Sequence, residues 1–410
     1  MFVSFILYPL LIDLLGVEVY GTWLTIASIS TWMTFFEFGL GSGLKNQLGR
    51  ALANNNIIHG KELVSTAYFV IFIIVIVLSL IFWCIKDFIN WNSLLGSSLN
   101  SENLNKFVSI MISGFLLVFI LKLVGNVASA HQDPFIEKLI NTFISIGALI
   151  TVSILLFLNI TNIVSVSFWW TFSSVLVWIV FSFILYSKKY KSVRPEISLV
   201  NKSHFKSLIG IGLQFFVIQI SLVIINGSTN FIISHYISAS DVVIYNASYK
   251  LFSIANILYS IIIAPTWPAF VDAIEKNDII WIKKTVNRMI KLWIGITLCM
   301  FIVLLFSHHI FNLWLSDKIS IPIPLSILLF IYFTSLTFGG IFNMYINAKG
   351  KLRTQMLSWI IITILYIPIV IVLIKYTTMG IYSIAIGLIM SNIYYVIIAP
   401  IQYLRIIKTC

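Results

Sequence analysis

Two lysines and one glutamate stand inside long apolar stretches, and these are the residues best able to do chemistry in this chain. Lys122 lies in LLVFILKLVGNVASA, Glu37 lies in TWMTFFEFGL, and Lys250 follows in a later stretch. A lysine at the centre of a membrane helix costs ~2.5–3.5 kcal/mol on insertion scales, so it usually faces a polar cavity or a partner. We therefore interpret Lys122, Glu37 and Lys250 as candidates for lining a substrate chamber.

Each of these charges also has a second interpretation. Glu37 precedes Lys45 by eight residues, and Lys122 precedes Ala130 by eight. Both charges therefore lie ~12 Å from the predicted helix ends, and a Glu37–Lys122 ion pair is possible. Alternatively, Glu37 binds a coupling proton or Na⁺. Lys250 stands near the start of its predicted helix, where its side chain can extend to the membrane interface.

Polar residues without charge add two further sites. The segment INGSTN (225–230) is expected to interrupt an apolar span, and Asn226 and Asn230 are candidates for contacting a polar substrate. Close helix packing through small residues is the alternative for this segment. Lys45 and Arg50 are expected to flank a cytoplasmic entrance, or only to set membrane orientation.

Metal and disulfide chemistry is not expected. His308 and His309 are adjacent but have no third ligand nearby, and Cys84, Cys299 and Cys410 are far apart. These spacings fit neither a zinc site nor a disulfide framework. We therefore predict no metal and no cofactor, apart from an unidentified coupling ion.

The elements that position these residues must be membrane helices. Hydrophobic residues make up 60% of the 410, charged residues 10%, and the mean hydropathy is +1.02. A soluble domain carries about 25% charge. The net charge of +12 does not indicate a nucleic-acid partner, because the basic residues cluster in short loops. The composition predicts an all-α integral membrane protein with about twelve transmembrane helices.

A hydropathy walk along the chain predicts these spans: 1–15, 22–44, 63–83, 107–130, 139–158, 163–186, 209–235, 246–270, 290–311, 322–346, 355–374 and 380–402. The first is short for a ~30 Å hydrocarbon core. We expect that the first helix is truncated and that the true start lies upstream of Met1.

The basic residues predict the orientation. Of the 26 lysines and arginines, twenty fall in one alternating set of loops and four in the other. By the positive-inside rule, the richer set and both termini lie in the cytoplasm. The basic segment 187–208 divides the chain into a six-helix lobe (1–186) and a second six-helix lobe (209–410). It either binds anionic headgroups or serves only as a topology-setting linker.

The two lobes resemble each other in sequence. ALANNNIIHGKE (51–62) aligns without gaps on AIEKNDIIWIKK (273–284), with five identities at a constant offset of 222. GVEVYG (16–21) similarly echoes SDVVIYN (240–246). Because each lobe has an even number of spans, the repeat is parallel, an arrangement typical of transporters that work by alternating access.

The helix ends carry a resemblance to a known family. LGVEVYGTW (15–23) and FEFGLGSGLKNQLGRALANNNIIHGKELVSTAYF (36–69) resemble the start of the polysaccharide transporter family. These are the Wzx-type O-antigen flippases of the MOP superfamily, related to the MATE exporters. Further stretches resemble the same family, namely 245–253, 264–284 and, more weakly, 311–315 and 346–355.

The resemblance implies a MATE-like fold and a function. It implies transport of an undecaprenyl-pyrophosphate-linked oligosaccharide, such as an O-antigen or capsule repeat unit, from the cytoplasmic to the outer leaflet of a bacterial inner membrane. The expected partners are that lipid-linked sugar, membrane lipids and other polysaccharide-assembly membrane proteins. Trp169, Trp170 and Trp178 are then candidates for stacking on sugar rings, with membrane anchoring as the alternative.

Three other functions are weighed against this one. A MATE-type cation-coupled drug antiporter shares the fold but is expected to have an acidic chamber. A major-facilitator transporter lacks support, since its usual loop after the second span is absent. A membrane polymerase or ligase would be an enzyme, but the longest outer segment (84–106) has no cluster of catalytic residues. We therefore expect a non-enzymatic transporter.

Overall fold

The computed structural model describes residues 2–32, 40–131, 133–201, 213–263, 266–316 and 318–408, and these residues are helical or in turns, without strands. The chain divides into two compact units, residues 1–216 and 217–410. Each unit is a bundle of apolar helices. This is expected for a chain in lipid, where backbone N–H and C=O groups must bond within the segment itself.

The first unit contains nine described α-helices, whose bounds follow: α1 Phe2–Leu15, α2 Val17–Trp32, α3 Leu40–Ala53, α4 Ile57–Ile85, α5 Trp91–Leu95, α6 Ser101–Leu121, α7 Leu123–Ala130, α8 Pro134–Phe157 and α9 Ile163–Ser187. Helices α6 and α7 are nearly continuous, since a single residue, Lys122, separates them. Helix α6 packs along α9, and α8 packs against both α1 and α9.

The second unit continues the described helices as follows: α10 Leu213–Tyr236, α11 Ala239–Ile263, α12 Thr266–Glu275, α13 Ile279–Leu305, α14 Ser307–Leu315, α15 Ile323–Ala348, α16 Arg353–Tyr376, α17 Tyr382–Ser391 and α18 Ala399–Lys408. A π-helical turn, Tyr394–Ile398, joins α17 to α18. Helix α15 is central, because it contacts α11, α13, α17 and α18.

Among the described residues, eight helical segments are long and apolar enough to cross a membrane. Helix α1 is a shorter apolar helix, and α2, α10 and α11 supply the remaining predicted spans. The prediction of an all-α membrane protein with about twelve spans is confirmed.

Several helices are longer than the apolar windows that predicted them. Lys45 and Arg50 were expected in a loop, but both belong to α3, and only residues 54–56 separate α3 from α4. Likewise α13 begins at Ile279 rather than at residue 290. The windows detect the apolar middle of a helix only, whereas the helix continues into polar ends that hydropathy cannot distinguish from loops.

Two tight turns have the same geometry at corresponding positions of the aligned segments. Asn55 and Asn277 are both left-handed, with φ of 55° and 54°. In the first turn, the N–H of residue 56 donates to the Ala51 carbonyl at 2.9 Å, and in the second the N–H of residue 278 donates to the Ala273 carbonyl at 2.9 Å. This is the Schellman pattern that ends a helix. Asn56 and Asp278 then cap the next helices, α4 and α13.

The polar segment at residues 225–230 does not break its helix. Helix α10 runs without a break through this segment, from Leu213 to Tyr236. Ser228 and Thr229 are buried, and both hydroxyls donate to the Ile225 carbonyl of their own helix. Because these hydroxyls form hydrogen bonds within their own helix, the polar residues do not break its backbone hydrogen bonding.

Pro265 and Pro268 stand in one of the predicted spans, where a proline is expected to kink a helix, and Pro265 lies outside the described residues. Pro268 lies in the first turn of α12. A proline costs no helical hydrogen bond there, because the first-turn N–H groups have no partner within the helix.

The segment after α9 is not a free linker. Val193 is buried beside Gly60 of α4, and the Glu196 N–H donates to the Ser65 hydroxyl at 2.9 Å. The Asn201 N–H donates in the same way to Thr66, at 3.0 Å. Residues 187–201 therefore form a strap that is bound to the start of α4, within the first unit.

An ion pair fixes the beginning of this strap. Lys189 Nζ lies 2.8 Å from Asp133 Oδ2, and the Tyr190 hydroxyl donates to the same carboxylate at 3.3 Å. The Lys189 ammonium holds the pKa of Asp133 below its usual value. The ends of α3, α7 and α9 and the strap thus share one side of the first unit, which we call the basic side.

Candidate functional site

Lys122 lies at the junction of α6 and α7, where one residue leaves the α-helical pattern. Its N–H still donates to the Val118 carbonyl at 2.9 Å, while the Gly125 N–H closes a tighter turn onto the Lys122 carbonyl. The side chain is half-buried, and Nζ lies 4.6 Å from the centre of the Phe119 ring. A cation over a ring face is stabilised by the ring quadrupole, by ~0.5–2 kcal/mol depending on solvation.

A cavity of about 320 Å³ lies in the first unit, and one of its lining residues is Val118, four residues before Lys122. Its lining residues come from α2, α6, α8 and α9: Ala27, Met111, Gly114, Phe115, Val118, Asn141, Ile144, Trp170, Thr171, Ser174 and Trp178. The spacing of Met111, Phe115 and Val118 continues to Lys122, because these residues recur every three or four positions. Lys122 therefore extends the cavity-lining face of α6, ~6 Å from Val118 along the axis.

The cavity faces the interior of the unit rather than the surrounding lipid. On α9 the exposed apolar side chains include Phe172, Ile179 and Phe183, which share one face. Trp170, Ser174 and Trp178 share the opposite face, at the usual helical spacing. A large exposed apolar face on a membrane helix is its lipid-facing side, so the cavity residues point inward.

The same reasoning applies to α8. Phe143, Ile150 and Ile154 are exposed on one face, whereas Ala148, on the opposite face, is 2% exposed. Asn141 lies on this inner face yet remains exposed, because it opens into the cavity. Among the described residues, its side-chain amide has no hydrogen-bond partner.

Two tryptophans of the cavity are held in place by the core. Trp170 meets Trp23 of α2 edge to face, with ring centroids 5.5 Å apart, and Trp23 also contacts Phe107. Trp178 is 5% exposed, whereas the adjacent Trp169 is 47% exposed on the lipid-facing side. Trp170 and Trp178 therefore line the cavity, whereas Trp169 faces lipid.

The predicted partners of Lys122 are placed only in part. Glu37 lies outside the described residues, so the Glu37–Lys122 ion pair stays a prediction. Lys45 is exposed on α3, eight residues before the end of that helix. Arg50 belongs to the last turn of α3, and its side chain lies outside the described part of the structure.

Helix α11 begins at Ala239 rather than at residue 246, so Lys250 lies eleven residues, or ~16 Å, from the start of the helix. The added turns lie outside the predicted apolar window, so extension of the Lys250 side chain to the interface stays an alternative interpretation. Lys250 is half-buried in the middle of α11 and belongs to the second unit.

The two candidate asparagines behave differently from each other. Asn226 is exposed, and its amide donates to the Leu222 carbonyl one turn earlier, at 2.8 Å. Asn230 accepts a hydrogen bond from the Asn246 amide at 2.8 Å, which joins α10 to α11. Asn230 therefore holds two helices together, whereas Asn226 is accessible on the surface of α10.

The second unit also contains a cluster of buried tyrosines that sequence reasoning missed. The Thr229 hydroxyl lies 3.0 Å from that of Tyr366, which joins α10 to α16. Tyr249 contacts Tyr245 and Tyr332, with ring centroids 5.6 and 6.4 Å apart. The sequence signal for this cluster was the recurrence of tyrosines within apolar spans, because a tyrosine buried there needs a hydrogen-bond partner for its hydroxyl.

The second unit has its own groove, of about 540 Å³, between α16, α17 and the π-helical turn. Its lining is apolar apart from Tyr366 and Ser391, and it includes the exposed Ile361 and Ile393. This groove lies on the lipid-facing surface, and its lining is less polar than that of the cavity between α2, α6, α8 and α9.

Among the described residues, no three His, Cys, Asp or Glu side chains come together as a metal site would require. His308 and His309 have ring centroids 6.0 Å apart, and Asn312 lies beside His308. The polar cavity residues Asn141, Thr171 and Ser174 were missed by the sequence analysis. The only sequence signal for these three residues was that each is an isolated polar residue in an otherwise apolar helix.

A family profile described as polysaccharide biosynthesis protein matches residues 1–274. Two curated relatives match over most of their length. A Yersinia pseudotuberculosis protein named as a candidate O-antigen export protein is 24% identical over 87% of this chain and 82% of its own. A Salmonella typhimurium protein named as a candidate O-antigen transporter is 23% identical over 86% and 80%.

Solved structures match the fold. One, described as the inward-facing conformation of a multidrug-resistance MATE family transporter of the MOP superfamily, has a TM-score of 0.82 at 14% identity and covers 99% of this chain and 95% of its own. A MOP superfamily transporter from Pyrococcus furiosus, described as having a binding pocket of reversed polarity, has a TM-score of 0.64 at 14% identity over 99% and 92%. At these identities the matches show a MATE-like fold.

Proposed function

Because the chain belongs to the polysaccharide biosynthesis protein family, and its fold is that of MOP superfamily transporters, we propose that it is a flippase. Its substrate is an undecaprenyl-pyrophosphate-linked oligosaccharide, an O-antigen or capsule repeat unit. It carries this substrate from the cytoplasmic to the outer leaflet by alternating access.

The cation at the α6–α7 junction carries this proposal. A lipid-linked sugar pyrophosphate brings two negative charges into a membrane, where an unpaired ion is very costly. Lys122 offers a positive charge ~12 Å from the basic end of α7, beside an interior cavity. A fixed cation at this depth lowers the electrostatic barrier for an anionic headgroup.

The interior of the first unit suits the sugar part of such a substrate. Amide and hydroxyl groups at Asn141, Thr171 and Ser174 replace some of the hydrogen bonds that sugar hydroxyls lose on leaving water. The isoprenoid tail stays in the bilayer, against the exposed apolar faces of the helices. Only the sugar and diphosphate headgroup then has to cross the membrane through the interior of the protein.

The charge pattern supports the proposed orientation, and the proposed function implies the location. The basic side faces the cytoplasm, both termini lie there, and the protein resides in the inner membrane of a bacterium. The bound strap, with Lys188, Lys189 and Lys191 exposed, is then placed where anionic headgroups are abundant. Lys45 and Arg50, on the same side, flank the entrance.

The proposed role is transport without a chemical reaction on the substrate. The energy source is a proton or Na⁺ gradient, with Glu37 as the candidate for binding the ion. Lys250, Asn226 and Asn230 remain candidates for contacts in the second unit. Other membrane proteins of polysaccharide assembly are the expected partners, since a translocated repeat unit must be joined to a growing chain.

Reconstitution provides the test. The purified protein is placed in liposomes that contain lipid-linked oligosaccharide extracted from the host, labelled on the sugar. A glycosidase that cannot cross the bilayer then reports the accessible fraction. We expect this fraction to rise from about half towards completion when the protein is present, and to stay near half with Lys122→Ala.

A second assay on the same liposomes addresses the main rival. A MATE-type drug antiporter would move a fluorescent organic cation in response to a proton or Na⁺ gradient. Cation movement without sugar translocation would refute the flippase and favour the antiporter. Release of cleaved glycan before glycosidase is added would indicate an enzyme instead.

A further inference from the structure

The strap and α4 enclose a second hollow in the first unit, which we call the strap groove. Its walls are α4 between Ser65 and Phe72, Ile120 of α6, and the strap between Pro195 and Val200. Its volume is about 400 Å³. Ligand sites usually measure ~300–1,000 Å³, so the strap groove is large enough to hold a ligand.

The strap groove opens towards lipid. Phe69 and Phe72 both line it, and they are 41% and 50% exposed. Ile73, Ile76 and Leu80 continue the same exposed apolar face along α4. An exposed apolar face on a membrane helix is its lipid-facing side. A hydrocarbon chain can therefore enter the strap groove sideways from the bilayer.

The polar groups in the walls of the strap groove are already engaged with each other. The Ser65 hydroxyl accepts from the Glu196 N–H at 2.9 Å and donates to the Lys61 carbonyl at 2.7 Å. The Tyr68 hydroxyl accepts from that of Tyr186 at 3.1 Å. A polar ligand would lose its bonds to water here and gain few in return. The groove therefore favours a hydrocarbon chain over a sugar.

Positive charge lies at the rim of the strap groove. Arg194 is exposed and directly precedes the lining residue Pro195, and Lys191 is exposed one short turn earlier. Among the described residues, neither side chain forms an ion pair. Glu196, which also lines the groove, is paired with Lys61. The carboxylate at the rim is thus neutralised, and the charge left to attract a ligand is positive.

An apolar groove with a cationic rim matches an amphiphile that has an anionic headgroup. A free phosphate would leave the apolar walls uncovered, and a zwitterionic lipid would bring its own ammonium group close to Arg194. The α4 wall from Ser65 to Phe72 extends ~10 Å along the helix axis. It therefore suits the upper part of a straight acyl chain, for which a methyl-branched isoprenoid is the wider and poorer substitute.

We propose that the strap groove binds one anionic phospholipid, with an acyl chain against Phe69 and Phe72 and its phosphate beside Arg194. Phosphatidylglycerol is such a lipid. The site is separate from the cavity lined by Val118, and it does not depend on which substrate the protein carries. Because the lipid touches both α4 and the strap, it holds the strap in place on the first unit.

Native mass spectrometry of the full-length protein tests this proposal by counting bound lipids. The probes are dioleoyl phosphatidylglycerol and dioleoyl phosphatidylcholine, which differ only in the headgroup, and undecaprenyl phosphate. One phosphatidylglycerol should bind at least fivefold more tightly than phosphatidylcholine. This factor corresponds to the ~1 kcal/mol that a basic residue near the membrane surface contributes towards an anionic lipid.

Three variants separate the headgroup from the chain. Arg194→Gln should weaken phosphatidylglycerol about fivefold and leave phosphatidylcholine unchanged. Ile197→Ser should weaken both phospholipids by a similar factor, and it should fold normally because Ile197 is 88% exposed. Lys351→Gln is the matched control, since it removes one positive charge from an exposed lysine of the second unit. It should change neither affinity.

Hydrogen exchange reports on the strap itself. The N–H groups of Glu196 and Asn201 donate to the Ser65 and Thr66 hydroxyls. Exchange of these two N–H groups should be slower in nanodiscs of phosphatidylglycerol than in nanodiscs of phosphatidylcholine. The difference should disappear in Arg194→Gln, and an equal exchange rate in the two lipids for the unmodified protein would contradict the proposal.

Three binding results would overturn the lipid site. Equal affinity for the two phospholipids would refute it. A preference for phosphatidylglycerol that survives Arg194→Gln would place the headgroup elsewhere. Undecaprenyl phosphate that binds more tightly than phosphatidylglycerol, and that loses affinity in Ile197→Ser, would assign the strap groove to an isoprenoid carrier instead.

Discussion

Replacing Lys122 with methionine should separate stability from transport, because the two respond in opposite directions. A mid-membrane lysine costs ~2.5–3.5 kcal/mol on insertion scales. Since Lys122 is half-buried beside a cavity, only part of this cost applies. The substitution also removes the contact with the Phe119 ring, worth ~0.5–1 kcal/mol at a partly solvated site. The free energy of unfolding should therefore stay constant or rise by about 1 kcal/mol.

Transport should fall sharply in the same variant. A charge-assisted hydrogen bond to a phosphate contributes ~1.5–3 kcal/mol, and its loss corresponds to roughly 10- to 150-fold weaker handling of the substrate. Denaturation in detergent gives the stability, and the glycosidase assay in liposomes gives the rate. Lys122→Arg should keep much of the activity, because the charge survives.

Two results would refute this reasoning. The matched control is Lys106→Met on the same helix, since Lys106 is exposed and pairs with Glu102. It should affect neither stability nor rate. Full transport by Lys122→Met would remove the lysine from the mechanism. Restored transport in the charge-swapped pair Glu37→Lys with Lys122→Glu would instead show that the two charges act mainly on each other.

Three further predictions concern the fold and the orientation. Gly339→Ala should lower the free energy of unfolding by ~1–3 kcal/mol, since a Cβ at this position meets the backbone of the π-helical turn. Gly295→Ala is the control and should leave the free energy of unfolding unchanged, because a Cβ there meets open space. Equal effects of the two substitutions would contradict the packing. Asn277→Ala should lower the free energy of unfolding by about 1 kcal/mol, because alanine is strained at the positive φ of this residue. Asn277→Gly should cause no such loss, since glycine adopts this conformation freely. A lower melting temperature for Asn277→Gly than for Asn277→Ala would contradict the turn. A reporter active only outside the cytoplasm should work when fused after Asn92 and fail after Lys191, and the opposite pattern would invert the orientation.

The helical architecture could be predicted from hydropathy because lipid leaves the chain few alternatives. The ends of the helices could not. Lys45 and Arg50 extend α3 beyond the apolar window, and α11 begins seven residues before the predicted span. A polar helical end and a loop have the same composition, so only backbone geometry distinguishes them.

The sequence identified the charged residue of the candidate site, but it did not show which other residues surround that charge. Lys122 was identified because a charge in an apolar helix is costly. The cavity beside it was not, since it depends on four helices that are distant in sequence. Trp169 and Trp170 show the difficulty. They are adjacent in the chain, yet their side chains point about 100° apart around α9, so that one faces lipid and the other lines the cavity.

The strap was predicted as a linker because of its many basic residues. Its attachment depends on contacts that no composition reveals, such as the Ser65 and Thr66 hydroxyls of α4 accepting from strap N–H groups. The polar segment at 225–230 failed for the converse reason. Its hydroxyls bond within their own helix, so polar composition did not produce a break.

The paired turns at Asn55 and Asn277 have a consequence for how their helices can move. In each turn a left-handed asparagine and two backbone hydrogen bonds end one helix, and a capping side chain begins the next. Only three residues join α3 to α4, and only three join α12 to α13. Neither helix of a pair can slide along its axis without breaking these bonds. We therefore expect α3 with α4, and α12 with α13, each to move as one rigid elbow when the protein changes conformation.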